Sequence, residues 1–117
     1  GSQRISKMQK QFRLKRRSAF NYVYKKGEKS SARHLLLLYT KSRNGIKIGI
    51  SVSKKVGGAV VRNRVKRLIR EAINNIFPQI KEGYTYVIVA KSTAGESDYY
   101  AICEDVKAIF ERAEKLC

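Results

Sequence analysis

From Val61 to Phe77 the apolar residues Val61, Val65, Leu68, Ile69, Ala72, Ile73, Ile76 and Phe77 recur at i, i+4, i+7 and i+8. At about 100° per residue they share one arc of a helix, so the pattern predicts an amphipathic helix opening near Val60 and stopped by Pro78. Two other stretches have helical spacing. Phe20, Val23 and Tyr24 follow a Ser18 cap, with Lys25 and Lys26 in the last turn and Gly27 just past it; Tyr22 lies off this stripe. From about Ser97, one face gathers Tyr99, Ile102, Cys103, Val106, Ile109, Phe110 and Ala113, while the outer side mixes acids and bases.

Strand patterns fill the gaps. Leu35 to Tyr39 is a short apolar run, and Asn44-Gly45 signals a hairpin into Ile46-Lys47-Ile48-Gly49-Ile50-Ser51-Val52-Ser53. That second run alternates strictly: Ile46, Ile48, Ile50 and Val52 belong to the core, leaving Lys47, Gly49, Ser51 and Ser53 on an open, shallow face. Tyr84 to Ala90 is apolar on both faces, as in a central strand. The order helix, strand, strand, helix, strand, helix predicts a single-domain α+β sandwich, a small sheet packed on helices. A length of 117 residues suits one domain with one core. Gly1-Ser2 reads as a cleavage scar and residues 1–7 as appended sequence, which leaves residues 8–117 as the domain and residues 9–17 as a basic arm.

Charge changes the picture from a fold to a partner. The net charge is +17 and the pI near 10.2. Residues 1–70 carry 21 Lys and Arg against one acid, Glu28, whereas residues 71–117 carry 5 against 8, so +20 stands against −3. Such a balance points to a polyanion. On the Val61–Phe77 helix the polar arc holds Asn63, Lys66, Arg67 and Arg70, with Arg62 and Arg64 at its edges and Glu71 as the lone acid. A solvated face normally mixes signs, because like charges three or four apart repel, and four of the five cations are Arg, whose planar fork matches phosphate oxygens.

Several chemistries are not encoded. No apolar run approaches the roughly 20 residues of a membrane span and no signal peptide is legible, so a soluble, cytoplasmic protein is expected, without a membrane partner. Cys103 and Cys117 have no CxxC spacing and His34 stands alone, so neither a zinc site nor a disulfide is expected. Lys54-Lys55-Val56-Gly57-Gly58-Ala59 allows close approach to a phosphate but fits neither GxxxxGK[ST] nor GxGxxG. A protein nuclease using two metals needs clustered carboxylates. Glu28 is the one acid before Glu71, while Glu96, Asp98, Glu104 and Asp105 read as capping or solvated groups.

The run Gly49-Ile50-Ser51-Val52-Ser53-Lys54-Lys55-Val56-Gly57, followed by Ala59-Val60-Val61-Arg62-Asn63-Arg64-Val65-Lys66-Arg67-Leu68-Ile69-Arg70-Glu71, closely resembles the signature of the bacterial ribonuclease P protein subunit. Leu14-Lys15 with Phe20, Val23, Tyr24 and Gly27 fits that family's N-terminal pattern, so the resemblance covers nearly everything after Met8. It implies an accessory to a catalytic RNA that removes the 5′ leader of precursor tRNA by magnesium-dependent hydrolysis, with Mg²⁺ held mainly by RNA and none assigned to the protein. The implied partners are the ribonuclease P RNA and precursor tRNA, with no obligate protein partner. It also implies a short fourth strand, giving the order α-β-β-(β)-α-β-α in a mostly antiparallel sheet, and a left-handed β-α-β crossover around the basic helix. Carried over by position, Arg16, Phe20, Tyr24, Tyr39 and Ser51 would face the single-stranded leader. Lys55, Arg62 and Asn63 would lie between leader and RNA subunit, and Arg64, Lys66, Arg67 and Arg70 on the RNA subunit.

Two other classes share part of this pattern. A general or ribosomal RNA-binding protein would have the charge and the basic helix but no reason for an open Gly49/Ser51 face beside aromatic residues. A metal-dependent nuclease would cleave precursor tRNA without any RNA subunit.

Overall fold

The structure is a computed structural model that describes residues 13, 14, 16–42 and 45–116. Most of the basic arm, Asn44 of the expected hairpin and Cys117 lie outside the described residues. The order is α1 (Arg17–Lys26), β1 (Glu28–Ser31), β2 (Leu35–Lys41), β3 (Lys47–Ser51), α2 (Ala59–Ile76), β4 (Tyr84–Ala90) and α3 (Tyr99–Arg112). Short 3-10 turns cover Phe77–Gln79 and Ser92–Glu96.

The α+β sandwich is as expected, with one change in strand pairing. The sheet runs β1-β2-β4-β3, so β4 lies between β2 and β3, and these two do not form a hairpin. β4 pairs antiparallel with β2 and parallel with β3, making β3-α2-β4 the β-α-β crossover. A strand apolar on both faces gains most from an interior position, and that burial outweighs the local turn signal of Asn44-Gly45. The fourth strand is β1, whose sequence Glu28-Lys29-Ser30-Ser31 has no apolar periodicity. Ser30 alone of the four is buried, and its hydroxyl donates to the carbonyl of Ile109 at 2.8 Å.

Alternation then sorts side chains to two faces. Leu35, Leu37, Ile48, Tyr86 and Ile88 join Val65, Ile69, Ile73, Phe77, Ile102, Val106 and Phe110 in the main core beneath α2 and α3. On the other face Val23 of α1 closes on Leu38 and Val87, with Leu14, Phe20, Leu36 and Val89 half-buried around them. α1 begins two residues earlier than the Ser18 cap suggested, with Arg16 at the N-cap. It ends at Gly27, where a Cβ would come 2.4 Å from the carbonyl oxygen of Val23. α3 is capped by Asp98, whose carboxylate accepts from the amide of Ala101 at 2.8 Å. Asp105 is not solvated, as its pairing with Glu104 had suggested: it is buried and accepts from the amide of His34 at 2.6 Å, tying α3 to the β1–β2 turn.

Candidate nucleic-acid interface

Among the described residues the α1 face of the sheet is only partly covered, and its shape depends on one contact. Gly49 of β3 is buried under Phe20: a Cβ there would lie 2.5 Å from the ring and 3.2 Å from Leu14. The missing side chain lets the ring rest on the strand. The Gly49 position is therefore not open, as the alternation alone suggested; the openings lie on either side of Phe20.

On one side is a cavity of about 130 Å³ lined by Arg13, Leu14, Phe20, Ile48, Gly49, Ile50, Lys66 and Arg70. Arg13 reaches it because the arm bridges in parallel to β3, with the amide of Leu14 donating to the carbonyl of Ile48 at 2.9 Å. Burial, and then the neighbouring Arg13 guanidinium, lower the pKa of Arg70. The Nε groups of Arg13 and Arg70 are buried and find no hydrogen-bond partner among the described residues. Three cations with no lining carboxylate are electrostatically incomplete.

On the other side, Arg17, Phe20, Asn21, Tyr24 and Ser51 line a wider cleft of about 390 Å³. Tyr24, 40% exposed, is not core but a free ring at the cleft wall. Phe20, Tyr24 and Ser51 thus belong to one region, whereas Arg16 does not line it and is the exposed N-cap of α1. Arg13, Arg17 and Asn21 were not singled out by sequence. The last two had a legible signal, since residues 17, 20, 21 and 24 share i, i+3, i+4, i+7 spacing on α1.

Tyr39 is a correction. It shares parity with Leu35 and Leu37, so it lies on the α2/α3 face, opposite Phe20 and Tyr24. Its ring meets Tyr84 edge-on at 6.2 Å between centroids, and the Lys115 ammonium sits 5.0 Å above it. The β2 side chains on the α1 face are Leu36 and Leu38.

On α2, Asn63 and Arg67 are exposed, Lys66 and Arg70 turn toward the Arg13 cavity, and Arg62 is half-buried with a buried, unpartnered Nε. Lys55 is exposed in the turn before the helix. Arg64 departs from the expected phosphate-facing row: its guanidinium donates to the carbonyls of Gly95 at 2.6 Å and Ser97 at 3.3 Å, fastening α2 to the loop before α3. The described residues contain no group of three or more His, Cys, Asp or Glu that could hold a metal ion. None of their helices is long and apolar enough to cross a membrane.

The sequence model of the Ribonuclease P family matches residues 8–114. The chain belongs to the ribonuclease P protein family. The ribonuclease P protein component of Clostridium kluyveri is 40% identical over 106 residues, covering 87% of this chain and 94% of the relative. Among solved structures, the ribonuclease P protein of Staphylococcus aureus aligns with a TM-score of 0.82 at 28% identity, covering 91% of this chain and 98% of that one. The Thermotoga maritima ribonuclease P protein aligns at 0.77 with 26% identity, over 86% and 96% of the two chains.

Proposed function

We propose that the chain is the protein subunit of ribonuclease P, binding the catalytic RNA subunit through α2 and the single-stranded 5′ leader of precursor tRNA through the α1–β3 cleft. The observation that carries this reading is Phe20, one wall of both the aromatic cleft and the cationic cavity. Single-stranded nucleic acid is held by rings that stack bases beside cations that take phosphates, and the two kinds of group meet here across one side chain. Arg13, Lys66 and Arg70 supply the phosphate contact: an anion among them relieves their repulsion and satisfies their buried donors. Asn63 and Arg67, exposed on the same helix, extend the contact to the RNA subunit, with Lys55 and Arg62 at the junction.

Magnesium-dependent cleavage belongs, on this reading, to the RNA. The described residues offer no carboxylate cluster as a donor set, so no step is assigned to a protein-bound ion. The protein's contribution is substrate affinity and neutralisation of two polyanions brought together. The test is cleavage of a precursor tRNA at low and high magnesium by protein alone, a bacterial ribonuclease P RNA alone, and both. Efficient cleavage at low magnesium by the mixture only is the expected result. Tight RNA binding without any gain in cleavage would replace this reading with a general RNA-binding one, and cleavage by protein alone would replace it with a protein nuclease.

A further inference from the structure

Outside its buried stripe, α2 carries two surfaces of different chemistry. Lys66 and Arg70, four residues apart, both turn to the Arg13 cavity and offer charge alone. Val60, Asn63 and Arg67 follow i, i+3, i+7 spacing and are all exposed, so at about 100° per residue they share an arc of about 60°. The centre of that arc lies roughly 75° around the helix from Lys66 and Arg70. This ridge holds one aliphatic group, one amide and one cation. Glu71, exposed one turn past Arg67 on the same arc, is its first acid and ends the surface that a polyanion would accept.

Val60 is the informative member. It is 83% exposed, more than any other large hydrophobic side chain among the described residues. Val61, Val65, Leu68 and Ile69 already pack the helix onto the core, which makes no use of Val60. An isopropyl group cannot hold a phosphate. It can cover the face of a base or a ribose, and that contact gains from leaving water. Paired RNA keeps its base faces stacked inside the helix, so such a contact calls for an unpaired nucleotide. The order along the ridge fits one: base face on Val60, base edge on the Asn63 amide one turn on, phosphate on Arg67 one turn further.

We propose that Val60 is an apolar anchor for one unpaired nucleotide of the RNA subunit, giving α2 a salt-independent hold beside its phosphate contacts. This rests on the reading of α2 as the RNA-subunit surface and adds the class of nucleotide it grips.

The test measures the affinity of the full chain for a bacterial ribonuclease P RNA over a range of salt concentrations, together with chemical probing of the unpaired bases of that RNA. Val60→Ala removes the apolar contact and is expected to weaken binding about five- to tenfold at every salt concentration, with the slope of log affinity on log salt unchanged. Alanine is the better helix former and the position is exposed, so urea unfolding is expected to show no loss of stability. Val60→Leu retains the affinity. The wild-type protein shields one unpaired base that Val60→Ala leaves open to the reagent. Arg67→Ala, by contrast, lowers the slope by about one. Wild-type affinity in Val60→Ala, a changed slope, or the same base protection in both proteins each overturns the anchor. Lys66→Ala and Arg67→Ala show at which level a failure lies. If they too leave binding untouched, α2 is not the RNA-subunit surface at all. If they weaken it while Val60→Ala does not, the anchor alone falls.

Discussion

One face of the sheet is roofed by α2 and α3 and buries Tyr86, Phe77 and Phe110 completely; among the described residues the other meets α1, Arg13 and Leu14, and its buried hydrophobic cluster is Val23, Leu38 and Val87. The difference separates two tasks in a small protein. Burial of large side chains supplies stability at roughly 25 cal/mol per Å² of apolar area, so the closed face dominates folding. The under-roofed face leaves Phe20 and Tyr24 with free ring surface, and that surface is what a flexible strand can use.

If the faces divide in this way, the largest effect on stability comes from the closed one. Phe110→Ala removes a ring packed 5.1 Å from that of Tyr86 and is expected to cost about 3–5 kcal/mol in urea unfolding. Arg64→Ala comes next. It breaks the two bonds from α2 to the 95–97 loop, for about 1–2 kcal/mol of stability, yet leaves the salt slope of RNA-subunit binding unchanged. Arg67→Ala does the reverse, lowering the slope by about one with little change in unfolding. Equal slopes for the two variants would undo the distinction drawn between them.

Gly49→Ala sharpens the contrast from the other side. Its methyl group displaces Phe20 at a cost of about 1–3 kcal/mol, and the loss of affinity for leader-bearing over leaderless tRNA is expected to exceed that of any substitution on the closed face that leaves the protein folded. The smallest effect is at Tyr39. Burial first, then the charge of Glu28, raise its phenol pKa above the ordinary value. A raised folded-state pKa gives a contribution that is complete below the unfolded phenol's pKa of about 10 and fades as pH climbs through the folded one. Tyr39→Phe should therefore flatten the alkaline limb of stability against pH and leave leader affinity as it was. A fall in leader affinity would contradict the face assigned to this residue.

Much of this was legible along the chain because helix period and strand alternation are local. The apolar arc of α2 predicted Val65, Ile69, Ala72 and Ile73 as buried, and the stripe of α3 predicted Ile102, Val106, Ile109 and Phe110. Strand order was not local. Asn44-Gly45 argued for a β2–β3 hairpin, while the two-sided apolar character of Tyr84 to Ala90 argued for a strand between neighbours; only the second can hold in the order β1-β2-β4-β3. Tyr39 failed for a related reason. Alternation says that Tyr39 sides with Leu35 and Leu37, but in a strand apolar on both faces it does not say which helix lies above. β1 was hidden because its burial rests on Ser30, a polar residue satisfied by a carbonyl 79 positions away. Arg64 was hidden because a guanidinium suits a carbonyl pair as well as a phosphate, and only tertiary contact decides.

The bridge between Arg13 and Ile48 has a consequence for solubility. β3 ends the sheet, and an uncovered edge strand exposes a ladder of free amides and carbonyls to which another molecule can add its own strand. Here the arm occupies part of that ladder, with the Leu14 amide on the Ile48 carbonyl, and places a cation beside it. A second molecule approaching edge to edge meets a strand already in place and a protein of its own sign, at +17. The same few residues that help build the cationic cavity thus guard the chain against self-association while no RNA is bound.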